Sequence, residues 1–281
     1  MGTEIWKITH SKGFKVSLLI GLVLTVFGFI DNYGSVEAFH RNLGDHVVQL
    51  GGDAYHPGFG SVHSFIYSWM GINQGRLYDY VYYAILPLLA GMPCVLLAGE
   101  ERGGFGQQEA ARKGKRRRLF DKAVAGMLTG GFVVSFPIAL NALVLLNFLP
   151  VLTPSVTDSA SSVYEETAAS LLFYRNPMLF MFLDLSVIFS WGCVSAMMAL
   201  AVGAFIRNRY LAAVAPFLLF ILIENIIEFG GVSTAIDFSP IALFHLGGYV
   251  RSSGYVIAAE IGVIGVLSAV IFFRKGMVSE L

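Results

Sequence analysis

This sequence carries little charge. Only 14% of its 281 residues are Asp, Glu, Lys or Arg, about half the load of a soluble domain. With 56% hydrophobic residues and a formal net charge of zero, the chain is not expected to be disordered, to be an ordinary cytosolic enzyme or to bind nucleic acid. Cysteine is scarce too. Cys94 and Cys193 both sit in apolar stretches, which gives neither a disulfide framework nor a metal-type pair. The familiar chemical signatures are also missing. Gly114-Lys115 is followed by Arg116, so no phosphate loop forms. Gly104-Phe105-Gly106 is followed by Glu109 where a dinucleotide fingerprint needs Gly or Ala. There is no HExxH pair and no G-x-S-x-G elbow. The chain is therefore not expected to be an enzyme or to bind a cofactor of its own.

Long apolar runs are what it has instead. Mean hydropathy is +0.67 and aromatics make up 14%. A membrane-crossing helix needs about 20 mostly apolar residues, since the hydrocarbon core is ~30 Å thick and each residue rises 1.5 Å. Six segments meet that need, at about 13–32, 79–100, 122–150, 177–206, 210–229 and 254–273. The expected fold is all-α: one polytopic bundle of six transmembrane helices over 1–281. Its Lys and Arg residues are unevenly placed. Arg41, Arg76, Arg175 and Arg251 fall on one side, and the rest of the 19 fall on the other. The positive-inside bias then puts both termini in the cytoplasm of a cell-membrane protein. The first run lacks an A-x-A-like site after Ile30 and reads as an uncleaved span. Trp6 at the sixth position excludes a myristoylation signal.

The segments between spans carry the finer expectations. Residues 1–15 read as a cytoplasmic amphipathic segment, with Trp6 and Ile8 in the headgroup layer and Lys7, Lys12 and Lys15 toward anionic lipid. A solvated tail is the plainer reading. The outer loop 33–78 is glycine-rich and holds four of the six histidines, His40, His46, His56 and His63. With Asp45 or Asp53 they invite a zinc site, but the spacing fits no metal signature. A folded cap with solvent-facing histidines is expected, with Tyr78, Tyr80, Tyr82 and Tyr83 as an interfacial aromatic belt. Residues 151–169 read as an exposed connector. Loop 230–253 contains an apolar run, Phe238 to Phe244, that can dip back into the bilayer where protein covers it.

Polar groups inside apolar spans are costly and usually face the bundle interior or water. Asp184, Glu224, Glu228 and Glu260 are such groups. They line a translocation route on one reading, and bond between helices on the other. Glu224 and Glu228 share one helix face by their spacing. Gly126 and Gly130 form a GxxxG pair beside Gly131, suited to subunit contact or to packing within the bundle. Pro87, Pro93 and Pro137 imply kinks.

The loop 99–122 is the most informative soluble piece. It holds Glu100, Glu101, Arg102 and Phe105, then the basic run from Arg112 and Lys113 to Arg116, Arg117 and Arg118. Topology and headgroup contact account for the basic run. A docking surface for a cytoplasmic partner accounts in addition for Glu100, Glu101 and Phe105.

The amphipathic start, the six spans with both ends inside, the charged loop after the second span and the apolar outer segment before the sixth together resemble the membrane subunit of type-2 ABC exporters. The stretch from Ile85-Leu86-Pro87 through Met92-Pro93 to Glu101-Arg102 and Lys122 is similar to small bacterial permeases of that class. The resemblance implies a permease moving a peptide or amphipathic small molecule outward by alternating access. It implies two kinds of partner, an ATP-binding subunit and a second permease of the same or a different chain, with ATP and Mg on the ATP-binding subunit. It assigns Glu100 to Arg118 to contact with that subunit. The long first outer loop departs from the most compact members. Two other readings stand beside it: an ion- or proton-coupled transporter using Glu224, Glu228 and Glu260, and a membrane anchor or sensor. An intramembrane enzyme is disfavoured, because Glu165-Glu166 falls in an outer loop.

Overall fold

In the computed structural model the described residues are 2–49, 64–72, 76–94, 97, 114–154, 163, 166–206, 208–229, 238–247 and 252–278; side chains are described in the first long helix only to residue 38, and that of Glu228 is outside them. All described elements are helical. They are α1 (Gly2–Thr9), α2 (Lys12–Gln49), α3 (Phe65–Ser68), α4 (Leu77–Gly91) with a 3-10 turn Met92–Cys94, α5 (Lys115–Leu145), α6 (Ser170–Arg175), α7 (Pro177–Gly203), α8 (Arg209–Phe229) and α9 (Gly254–Val278). Five helices are long and apolar enough to cross a membrane: Lys12–Ala38, Lys115–Leu145, Pro177–Gly203, Arg209–Ile227 and Gly254–Met277. The chain is a helical-bundle membrane protein.

Helix α7 is the hub. It packs on α4, α5, α8 and α9, while α2 lies against α4 and α5. Small residues make the α5–α7 contact close. A methyl group added at Gly130 would stand 2.5 Å from the Ala196 Cβ and 3.1 Å from the Gly192 carbonyl oxygen. One added at Gly192 would stand 2.8 Å from the Gly131 Cα. One added at Gly126 would meet Leu200 at 2.8 Å. The GxxxG face is thus filled by the same chain's α7, with backbones touching as small residues permit.

The second apolar segment departs from expectation. α4 has 15 residues and gives way to the 3-10 turn at Met92, where a helix through residue 100 was expected. Pro93 explains the break: it has no N–H and its ring crowds the carbonyl four residues back. That carbonyl belongs to Leu89, and it accepts the Ser17 hydroxyl of α2 at 2.6 Å. A bond lost within α4 is replaced by one between helices.

The first apolar segment also differs. α2 runs 38 residues, about 57 Å at 1.5 Å per residue, so helix continues to Gln49 where the outer loop was expected to begin at residue 33. The later part of that loop is core. Phe65, Ile66, Trp69, Met70 and Ile72 are wholly buried. They form no solvent-facing cap; the segment 64–72 is inserted among the helices. Trp69 donates its indole N–H to the Ile138 carbonyl of α5 at 3.2 Å, and the Phe65 amide donates to the Pro150 carbonyl at 2.9 Å. A second inserted segment, 238–247, buries Leu243, Phe244, His245 and Leu246. Gly247 closes the two against each other, since a Cβ there would stand 3.0 Å from the Ile72 Cα.

The opposite end of the bundle is basic. Gly13 at the start of α2 lies on the Met92 carbonyl at the end of α4. The Lys115 ammonium at the start of α5 donates to the Met277 carbonyl of α9 at 2.6 Å. Lys275 sits 5.3 Å from the centre of the Phe205 ring beyond the end of α7. Lys12, Lys115, Arg116, Arg117, Arg209 and Lys275 therefore share one end. α1 lies against α5, and it does not present Trp6 and Ile8 together to lipid. Ile8 is buried by protein, and only Trp6 is exposed.

Candidate functional site

Among the described residues two carboxylates lie fully inside the bundle, Asp79 and Asp184, each at 0% exposure. Both stand near the N-terminal ends of their helices, Asp79 in the first turn of α4 and Asp184 in the second turn of α7. Asp79 approaches Asn32 of α2, with 3.5 Å between Oδ2 and the amide nitrogen. Its other oxygen has no hydrogen-bond partner among the described residues and faces Gly28, where an added Cβ would stand 3.1 Å away. Asp184 Oδ1 accepts the Leu246 amide at 2.6 Å, and its Oδ2 likewise has no hydrogen-bond partner among the described residues. Desolvated carboxylates with an unsatisfied oxygen are unfavourable and persist where a site uses them or a proton neutralises them.

Tyr83 is buried inside the bundle one helical turn on from Asp79. Its hydroxyl donates to the Met70 carbonyl of the first inserted segment at 3.3 Å. Its ring lies 4.4 Å from the imidazole of His245 in the second, centre to centre. Burial pulls the His245 imidazole down to about 3. One helix residue thus touches both inserted segments. Tyr82 points elsewhere and donates to the Val134 carbonyl of α5 at 2.7 Å. Neither tyrosine belongs to an interfacial belt, because both are buried; of the expected four, Tyr80 is the exposed one at 65%.

The layer is finished at its edges. Glu224 of α8 accepts the hydroxyl of Ser239, which ties the second inserted segment to α8. Arg76 and Asp31 pair at 3.7 Å in partly exposed surroundings. Trp191 of α7 donates to the Leu243 carbonyl at 2.8 Å and packs edge-on against Phe220 and Phe244. This is a stopper: two short segments held by side-chain bonds to α4, α5, α7 and α8, over a floor of buried polar groups.

The sequence-based candidates are scattered. Asp184 and Glu224 meet the stopper at different points. Glu260 is partly buried in α9 and is engaged within the structure. The side chain of Glu228 lies outside the described residues. Among the docking residues, Glu100, Glu101, Arg102, Phe105, Arg112 and Lys113 also lie outside them. Arg116 and Arg117 are exposed in the first turn of α5. Arg118, expected among the docking residues, is 4% exposed, and Lys122 one turn on is 1% exposed, because both belong to the face of α5 turned into the bundle. The basic segment is therefore helix from Lys115 onward and not loop to residue 122.

Asp79, Tyr83 and His245 escaped sequence reasoning. Asp79 read as the edge of a span and Tyr83 as one of a belt, and the signal that marks them is an acid followed by tyrosines at helical spacing. Among the described residues no group of three or more His, Cys, Asp and Glu side chains gathers as a metal ion needs. His56 and His63 are outside the described residues, as are the side chains of His40 and His46. Comparison with protein families, with curated proteins and with solved structures finds no match for this chain.

Proposed function

We propose that this chain is the membrane-spanning permease subunit of an ATP-driven exporter, with six crossings and both termini in the cytoplasm of the cell membrane. The observation that carries the reading is the basic end of α5. Its first turn presents Arg116 and Arg117 outward and continues without interruption into the helix that packs on α7 through Gly126, Gly130 and Gly192. A push on the segment before Gly114 acts on one continuous helix, whose hydrogen-bond ladder runs from Lys115 up to the missing donor at Pro137. The helix reaches the stopper at Ile138, the acceptor for Trp69. A separate ATP-binding subunit, holding ATP and Mg, supplies the push. A second permease, of the same or another chain, completes the pathway. The cargo class is a peptide or an amphipathic small molecule, released where the stopper opens.

A second reading has its own observation. Asp79 and Asp184 are buried with unsatisfied oxygens, as sites for a coupling proton or cation are. One experiment separates the two. The protein is purified in mild detergent and reconstituted in vesicles. The exporter reading expects an ATPase to co-purify, and expects Glu101→Ala or Arg117→Glu to lower the stimulated ATP hydrolysis at unchanged expression. Proton movement by the isolated chain without ATP would establish the ion-coupled reading instead.

A further inference from the structure

A cavity of about 380 Å³ opens at the basic end, lined by Ser11, Lys12, Gly13, Val16, Met92, Arg209 and Tyr210. Its chemistry is two-faced. Lys12 and Arg209, almost two hundred positions apart in sequence, bring two cations to one rim. Val16, Met92 and the Tyr210 ring form an apolar wall. Among the described residues no acidic side chain lines it. Arg209 stands 5.4 Å from the centre of the Tyr210 ring, a cation–π contact that holds the guanidinium at the wall.

The depth of this cavity is set by its helices. Lys12 begins the apolar span Lys12–Ala38, and Arg209 begins the apolar span Arg209–Ile227. Both cations thus stand at the level where hydrocarbon gives way to headgroups. Val16 is one turn further into the apolar span and 47% exposed. Three amides at these helix starts are already occupied: Asn208 Oδ1 accepts from Tyr210 and Leu211, and the Ser11 hydroxyl accepts from Phe14. The full charges at the cavity are those of the Lys12 and Arg209 side chains.

We propose that this cavity is a binding site for one anionic phospholipid of the adjoining leaflet, with its phosphate between Lys12 and Arg209 and an acyl chain against Val16, Met92 and Tyr210. The charge requirement comes from two cations with no acid among the described lining residues, and the lipid requirement from an apolar wall that continues into the span. The bound lipid bridges the starts of α2 and α8. The site stands whether the driving partner is an ATPase or an ion gradient, because it depends only on the membrane level of the two helices.

The test uses the full-length protein in vesicles of phosphatidylcholine with a minority of phosphatidylglycerol, followed by native mass spectrometry of the lipids retained. Wild type is expected to keep phosphatidylglycerol in preference to phosphatidylcholine. Lys12→Gln and Arg209→Gln are each expected to lower that retention roughly five-fold, the value of one cation near a membrane surface. Arg117→Gln, an exposed cation away from the cavity, is expected to leave it unchanged. Thermal unfolding of each variant checks that the fold is kept. Equal retention of the two lipids by wild type, or the same loss with Arg117→Gln, overturns the proposal. Displacement of the lipid by inorganic phosphate overturns it in favour of a free-anion site.

Discussion

The indole N–H of Trp191 donates to the carbonyl oxygen of Leu243 at 2.8 Å, and both residues are fully buried. That bond fixes the second inserted segment to the hub helix at a place where water cannot replace a lost partner. Irregular backbone at this depth exists only because such groups satisfy it. Trp191→Phe keeps most of the ring packing against Phe220 and Phe244 and removes the donor. The expected cost is about 1–3 kcal/mol, the range for a buried acceptor left unmade. Thermal unfolding in detergent measures it. An unchanged midpoint would show that the Leu243 carbonyl finds another donor.

Glycine substitutions separate close packing from helix propensity. Gly130→Ala drives a methyl to 2.5 Å from the Ala196 Cβ and toward two backbone carbonyls, which cannot yield as a flexible side chain can. Overpacking of this kind costs about 1–3 kcal/mol. Gly262→Ala in α9 meets nothing within 4 Å. It is expected to be neutral or to stabilise by up to about 1 kcal/mol, because Gly is a poor helix former. The pair is read by unfolding midpoints of matched preparations, and equal effects would refute the α5–α7 contact.

Asp184 gives a test of how the stopper is held. Asp184→Asn can keep an acceptor for the Leu246 amide, which now sits 2.6 Å from Oδ1. Asp184→Leu cannot, and leaves that amide unmet inside the protein. The Leu variant is expected to release segment 238–247, seen as faster hydrogen exchange at Leu246 and as faster labelling of Ser239→Cys. The Asn variant is expected to stay near wild type. Equal protection in both variants would mean that the carboxylate is no anchor.

The legible part of this fold was its apolar length. Five of the expected spans are helices of that size, because twenty apolar residues have few other uses. The ends and the plugs were not legible, for reasons that lie in particular residues. Residues 64–72 resemble any glycine-flanked loop until Trp69 is seen bonded to Ile138, a partner 69 positions away. Ser17 reads as an incidental polar residue in a span until Pro93 leaves the Leu89 carbonyl in need of a donor. Asp184 was found from its sequence cost alone, whereas Asp79 was missed because it stands at the start of its helix and is covered by neighbours remote in sequence. Helix faces inside a bundle are decided by such partners, and a single helix does not reveal them.

His245 supplies a pH test with a definite sign. An exposed histidine titrates near 6.5, but burial holds this one at about 3. Below about pH 6.5 the unfolded chain takes up a proton that the folded protein refuses, so folding stability falls as the medium is acidified. The loss approaches 1.4 kcal/mol per pH unit and continues until the folded-state value is reached. Between pH 7 and pH 5 this amounts to about 2 kcal/mol. His245→Gln has no such proton to refuse, and the carboxylates Asp79 and Asp184 remain in both chains. The stability difference between wild type and the variant is therefore expected to move against wild type by that amount over this interval, measured by denaturant unfolding at each pH. A difference that stays constant from pH 7 to pH 5 would show that the imidazole is reached by water, and with it that the stopper is open to solvent.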